Sequence, residues 1–288
     1  MNWFIYAFMC ALSVATADAL SKKALTTDND TYLVAWVRIG YAVPFLIFIL
    51  PFIDIPELDN VFFIVTFVLI PLEITALILY MKAISISPLS LTLPFLSLTP
   101  VFLIGTSYII LGESPNKTGL MGIILVVIGA YLLNIHTIKR GILEPLKAVG
   151  KEKGSILMII VAFIFSITAN FGKVAVQHSS PIFFSVFYSI LLSAFLFLIV
   201  SFKTKRILSK IISQPLLFLF IGIAMAIMII THLKAISLVE VSYMISVKRL
   251  SLLIGVIYGA VFFKETNIKE RLLGSAVMVM GVVLIFYN

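Results

Sequence analysis

Four ionisable residues lie deep inside long apolar stretches of this chain: Arg38, Glu73 and the adjacent pair Lys248 and Arg249. A charge in such surroundings costs several kcal/mol unless it faces a partner or a water-filled path, so these residues are the first candidates for function. A guanidinium can hold a carboxylate through two parallel hydrogen bonds, and a carboxylate can bind an ammonium group. Their types therefore indicate a buried site for a small charged solute.

The adjacent cations occur in the sequence SVKRLSLL at 246–253. Neighbouring residues on a helix point about 100° apart, so both cannot reach one point equally well. We expect Arg249 to anchor a carboxylate and Lys248 to act as a movable point charge. The alternative is that both only neutralise Glu73 and Asp18 in buried ion pairs.

Glu73 follows Pro71 by two residues in LIPLEITALILYMK. A proline inside a helix removes one backbone hydrogen bond and favours a kink, which would place a hinge beside a buried carboxylate. A desolvated carboxylate is also a candidate for proton coupling. The alternative is a salt bridge between Glu73 and Arg38.

Asp18 completes the deep charges, and its spacing from Lys22 allows an ion pair within one helix. Three deep cations then face two deep anions, a balance that favours a solute with a carboxylate or phosphate. A zwitterionic amino acid would use an arginine for its carboxylate and Glu73 or Asp18 for its ammonium. Tyr80, Tyr188 and Tyr243 are the aromatic residues that could stack on such a solute.

The elements that must position these residues are membrane-spanning helices. The 288 residues are 61% hydrophobic and 12% charged, far more apolar than a soluble domain. Each apolar run is long enough to cross about 30 Å of hydrocarbon as a helix. Ten runs, which we number as spans 1 to 10, cover about 2–21, 32–51, 61–82, 88–111, 118–136, 155–173, 181–202, 214–233, 239–263 and 270–287.

The chain repeats itself with an offset of 152 residues, which places KAIS at 82–85 over KAIS at 234–237. Glu113 then matches Glu265, and Gly122 and Gly129 match glycines 274 and 281. Five spans are an odd number, so the second copy enters the membrane from the opposite side, as in secondary transporters. We predict an all-α integral membrane protein of two inverted five-helix repeats, at 1–137 and 155–288, joined by a basic loop at 138–154.

Lysines at the ends of the predicted spans match between the two repeats, with one residue of slip for the first pair. Interfacial snorkelling explains such lysines, and their pairing also favours gates at the two ends of a central path. The predicted coupling or gate residues are Asp18, Lys22, Lys82, Lys173, Lys234 and Glu240. We expect Glu113 and Glu265 to cap the helix that follows each of them. His136 and His232 lack partner ligands in the sequence, so no metal site is expected.

One pattern, repeated more weakly in the second half, carries a family resemblance: Tyr80, Lys82, Ala83, Pro100, Gly112, Glu113, Gly122 and Gly129. This pattern resembles the EamA-type transporters of the drug/metabolite transporter superfamily, and the resemblance covers essentially the whole chain. It implies a central cavity lined mainly by spans 1, 3, 4, 6, 8 and 9, with spans 5 and 10 more peripheral. The second half departs from the pattern where Leu252 replaces Pro100 and Lys264 replaces Gly112.

The resemblance implies a secondary active transporter, an exporter or exchanger of small polar metabolites, working by alternating access. From the charges we expect amino acids or related carboxylates. The alternatives are a carrier of phosphate-bearing solutes, such as a nucleotide-sugar or lipid-linked sugar, and a non-transporting receptor or scaffold. No Walker motif occurs, so a gradient must drive transport. We expect no enzyme activity, because no nucleophile–base or metal-ligand constellation is visible.

The expected partners are a small-molecule substrate, a coupled proton or counter-solute, and membrane lipid, with no cofactor and no nucleic acid. We expect a multi-pass protein of the cell membrane, monomeric or homodimeric. Apart from the three deep cations and the four lysines that the repeat duplicates, 13 Lys and Arg residues lie on one side and 1 on the other. The positive-inside rule then puts both termini outside, whereas the resemblance implies termini inside.

Overall fold

The structure is a computed structural model that describes residues 2–26, 30–87, 93–132, 153–204, 207–263 and 268–286. These residues form α-helices, with two short 3₁₀ segments at Leu50–Phe52 and Leu93–Leu98, and contain no strand. The helices of the first half are α1 Asn2–Leu25, α2 Thr31–Gly40, α3 Val43–Ile47, α4 Asn60–Ile86, α5 Thr99–Leu111 and α6 Lys117–Leu132. Those of the second half are α7 Lys153–Gln177, α8 Pro181–Lys203, α9 Ile207–Ile211, α10 Pro215–Ile236, α11 Val241–Lys248, α12 Leu250–Phe263 and α13 Ile268–Phe286.

Six helical segments among the described residues are long and apolar enough to cross a membrane, and four further apolar segments are shorter. The regular structure of the described residues is therefore all-helical and of a multi-pass kind, while the exact count of ten spans stays a prediction. The predicted loop at 138–154 lies largely outside the described residues, as do Lys264 and Glu265.

Polar side chains fix where several helices begin. Asp30 accepts a hydrogen bond from the backbone N–H of Leu33 (2.8 Å) at the start of α2, and Asp59 accepts one from Phe62 (2.9 Å) at the start of α4. These carboxylates satisfy backbone donors that a helix leaves unpaired in its first turn.

Three predicted spans are not single regular helices. Span 2 is interrupted between α2 and α3, where Pro44 removes a backbone donor. The described part of span 4 begins with the 3₁₀ segment that contains Pro94. Span 9 breaks at Arg249, between α11 and α12, without any proline. Conversely, α4 continues as one helix through Pro71, the predicted hinge.

The principal helix pairs respect the internal repeat. α1 packs on α10, and the equivalent helices α7 and α4 pack on each other. The two peripheral helices α6 and α13 pair through glycines, so that a Cβ at Gly122 would lie 2.7 Å from the carbonyl oxygen of Gly281, and one at Gly129 2.6 Å from that of Gly274. Early residues of α6 thus meet late residues of α13, an antiparallel arrangement that the predicted inversion requires.

Candidate functional site

A buried triad joins three helices of the first half: Asp18 of α1, Arg38 of α2 and Tyr80 of α4. The Arg38 guanidinium donates to Oδ1 of Asp18 (2.7 Å), and the Tyr80 hydroxyl donates to Oδ2 (2.8 Å). Arg38 also donates to the Ser21 hydroxyl (3.2 Å) and lies 5.6 Å from the centre of the Tyr80 ring. Asp18 and Arg38 are only 7% and 4% exposed, so each neutralises the other where water is scarce.

This triad changes two of the sequence interpretations. Arg38 pairs with Asp18, so the alternative of a Glu73–Arg38 salt bridge is not the arrangement found. Asp18 likewise takes its cation from α2 and not from Lys22, whose ammonium donates to the backbone carbonyls of Ile84 (2.8 Å) and Ser87 (3.4 Å).

The break in span 9 carries the two adjacent cations. Lys248 is the last residue of α11, and Arg249 occupies the one-residue interruption before α12. Arg249 is 5% exposed, and its Nε has no hydrogen-bond partner in the described part of the chain. Within the described ranges, the one hydrogen-bond partner of the Lys248 ammonium is the sulfur of Met228, at 3.9 Å. Among the described residues neither cation forms an ion pair, so the alternative in which both are neutralised by Glu73 and Asp18 is not observed.

These groups border one cavity of about 160 Å³ between the two halves. It is lined by the whole triad and by four further residues of the predicted site, Glu73, Tyr188, Lys248 and Arg249. The remaining walls are largely apolar and include Leu69, Leu77, Phe184 and Ile229.

Glu73 forms the acidic side of this cavity. Its carboxylate interacts with the Thr168 hydroxyl of α7 and, through space, with the Lys248 ammonium, but forms no ion pair among the described residues. Tyr188 lies within the electrostatic reach of Glu73, and its hydroxyl is buried with no hydrogen-bond partner in the described ranges. The cavity therefore contains two cations and one carboxylate that no described residue neutralises by direct contact.

Positions that are equivalent at the repeat offset of 152 residues line the same cavity. Glu73 corresponds to Met225, Tyr80 to His232 and Leu96 to Lys248, and all six residues line it. His232 and Thr168 were missed as site residues by the sequence reasoning. The offset itself would have found His232, since it stands where Tyr80 stands in the first half.

Tyr243 and the duplicated lysines lie away from the cavity lining. The Tyr243 hydroxyl accepts a hydrogen bond from the backbone N–H of Asn116 (3.2 Å), at the start of α6. Lys82 is exposed and Lys234 partly exposed.

Lys173 is buried at the end of α7, forms an ion pair with Glu113, and donates to the carbonyl of Val239 (2.8 Å). Glu113 was predicted to cap the helix that follows it, α6. Its second oxygen instead accepts from the backbone N–H of Val241 (3.0 Å), the first residue of α11 in the other half.

The comparisons agree with this architecture. The family model described as "EamA-like transporter family" matches the chain twice, at residues 1–135 and 152–287. A solved structure titled "Crystal structure of protein" shares the fold with a TM-score of 0.75, at 14% sequence identity over 99% of this chain and 98% of that chain. No curated protein matches the chain. Because the family model covers nearly the whole sequence, the chain belongs to the EamA-like transporter family.

Proposed function

We propose that this protein is a secondary transporter of small amino acids or related carboxylates, which binds its solute in the cavity between the two halves. One observation supports the proposal most strongly. Lys248, Arg249 and Glu73 line the same cavity, and none of them has an ion-pair partner among the described residues. Unpaired charges at this depth are costly, so a ligand of complementary charge would compensate them.

A zwitterion fits the two sides of the cavity. Its carboxylate would bind the Arg249 guanidinium, whose planar fork suits two parallel hydrogen bonds, with Lys248 adding a second positive charge. Its ammonium would bind Glu73. Asp18 and Arg38 already neutralise each other, so they would shape the cavity and not anchor the solute.

Alternating access would come from movement of one repeat against the other around this site. The helices α6 and α13 are equivalent in the two repeats, and their antiparallel packing is what two inverted halves require for such an exchange. A gradient of protons or of a counter-solute would supply the energy, and the cell membrane is the proposed location. A monomer or a homodimer is proposed as the working unit.

A set of matched ligands tests which groups are recognised. Binding to the purified protein would be measured by thermal stabilisation for an amino acid, its amide, which lacks the carboxylate, and its des-amino acid, which lacks the ammonium. The amide should bind at least about tenfold more weakly, since each tenfold corresponds to about 1.4 kcal/mol. In Glu73→Gln the preference for the amino acid over the des-amino acid should disappear. Equal binding of all three compounds would refute the assignment.

The adjacent cations also support a second candidate, a carrier of phosphate-bearing solutes, because a phosphate could engage Lys248 and Arg249 together. Glu73 argues against this candidate, since its carboxylate would repel the negative charge of a phosphate in the same cavity. A phosphomonoester that stabilises the protein more than any amino acid, and more strongly still in Glu73→Gln, would favour this candidate. A receptor or scaffold predicts no exchange of any solute across a membrane.

A further inference from the structure

A second charged cluster, outside the cavity, ties the two halves together at one end of the bundle. Glu113, which follows α5 in the first half, forms an ion pair with Lys173 of α7 and accepts the backbone N–H of Val241 (3.0 Å). Lys173 in turn donates to the carbonyl of Val239 (2.8 Å), in the turn between α10 and α11. We call Glu113, Lys173 and this turn, 237–241, the clasp.

Part of the clasp has a counterpart in the first half. Lys22 donates to the carbonyl of Ser87 (3.4 Å), and residue 87 corresponds to residue 239 at the offset of 152. Each lysine therefore binds the carbonyl of the equivalent residue just after the third span of its own repeat. Lys173 also binds a carboxylate of the other repeat, so the clasp connects elements that alternating access must separate.

Glu240 supplies a second carboxylate to the clasp. It precedes Val241, interacts electrostatically with both Glu113 and Lys173, and its Oε2 is buried with no hydrogen-bond partner in the described residues. Burial, and then the nearby Glu113 carboxylate, raise the pKa of Glu240, whereas Lys173 opposes this shift. Two carboxylates share one ammonium here, so the ionised cluster has a net charge of −1.

We propose that Glu240, flanked in sequence by Val239, which binds Lys173, and by Val241, which binds Glu113, binds the coupling proton of the transporter, and that this proton controls how firmly the clasp holds the two halves together. This inference rests on the proposed transport function. It places the proton outside the cavity and leaves Glu73, the candidate from the sequence, for the solute.

The charge of Glu240 determines whether the clasp is strengthened or weakened. When Glu240 is ionised, its carboxylate repels Glu113 across the boundary between the halves, and its buried oxygen has no donor in the described part of the chain. When Glu240 is protonated, that repulsion ends and the new O–H can donate to a neighbouring oxygen. Acid should therefore close this end of the bundle, and a rise of pH should loosen it.

Spin labels on either side of the clasp test the inference. Cys10 is the only cysteine, so Lys117→Cys and Leu238→Cys in a Cys10→Ala background give two unique sites, one in each half and both exposed. The distance distribution would be measured by pulsed electron resonance at about pH 4 and about pH 8, which bracket an ordinary glutamate pKa shifted upwards. We expect a short distance in acid and a growing long-distance population above it, changing by up to about tenfold per pH unit if one proton controls it.

The variant Glu240→Gln mimics the protonated residue and should keep the short distance at both pH values. The matched control Asp54→Asn, an exposed acid in the connection before α4, should behave like the wild type. A pH-independent distance in the wild type, or a pH response that survives in Glu240→Gln, would overturn the proposal.

Transport assays separate this proposal from the proposed function. In proteoliposomes Glu240→Gln should lose accumulation driven by a pH gradient but keep exchange of labelled for unlabelled solute. If the variant still accumulates solute like the wild type, the proton site is wrong while transport stands. If neither protein exchanges any solute, the proposed function itself fails.

Discussion

Separating Asp18 from Arg38 should destabilise the protein more than any other single change near the cavity. The two side chains are joined at 2.7 Å and are 7% and 4% exposed. Arg38→Met would leave the Asp18 carboxylate buried with only the Tyr80 hydroxyl as a partner, and Asp18→Asn would leave the guanidinium without a counter-charge. Removing one partner of a buried ion pair costs about 3–5 kcal/mol, so we expect each single variant to lose about 3 kcal/mol.

The double variant Asp18→Asn/Arg38→Met should lose much less than the sum of the two single changes, because it leaves no uncompensated charge. A coupling free energy of about 2 kcal/mol is within the range for residues in direct contact. Unfolding in detergent, followed by circular dichroism as a denaturing detergent is added, gives the free energy of unfolding of the wild type, the two single variants and the double variant. Additive losses would show that the pair is not the structural unit described here. Loss of ligand binding in a folded double variant would make Arg38 a solute anchor after all.

Three further changes have defined outcomes. Arg249→Gln should weaken binding of a carboxylate-bearing ligand by about 10- to 100-fold, because charge-assisted hydrogen bonds are lost. Without ligand the variant should be at least as stable to heat as the wild type, because an uncompensated buried charge is removed. Gly281→Ala should destabilise the protein by about 1–3 kcal/mol in the same unfolding assay, because the new Cβ would lie 2.6 Å from the carbonyl oxygen of Gly122. A Cβ at Gly105 would have nothing within 4 Å, so Gly105→Ala should be neutral or stabilising. The hydrogen bond from the backbone N–H of Phe62 lowers the pKa of Asp59. The stabilising effect of this carboxylate should therefore be present at neutral pH and vanish as the pH falls below 3.8, the ordinary pKa of an aspartate. The same acid dependence of unfolding in the wild type and in Asp59→Ala would contradict this.

The repeat and the helical class were predictable because they depend on patterns along the chain. Long runs of apolar residues form helices in hydrocarbon, because a helix satisfies its own backbone hydrogen bonds. An offset that aligns Lys82 with Lys234 and Glu113 with Glu265 is not expected from apolar bias alone. The family membership that these features indicated is confirmed by the two matches of the family model. The deep charges were also visible in the sequence, since apolar surroundings make them conspicuous.

The pairing of those charges was not predictable, because it depends on how helices distant in sequence pack. Arg38 has Asp18 and Glu73 as possible partners, and only the packing of α1 against α2 decides for Asp18. Glu113 was expected to cap its own following helix, but the fold brings the start of α11 from the other repeat within reach. The break at Arg249 carried no proline or glycine signal in the sequence. Local rules described each residue's chemistry, and tertiary packing chose its partner.

Solute exchange in proteoliposomes tests directly whether the protein transports amino acids or carboxylates and whether Arg249 binds them. Vesicles preloaded with an unlabelled amino acid, containing the wild type, Arg249→Gln or the control Gly105→Ala, would be placed in a trace of the same amino acid carrying a radiolabel. We expect labelled uptake by the wild type and by Gly105→Ala, and loss of most of that uptake in Arg249→Gln at equal protein incorporation. Uptake by Arg249→Gln at the wild-type rate, or no exchange by the wild type of any amino acid or carboxylate, would contradict it.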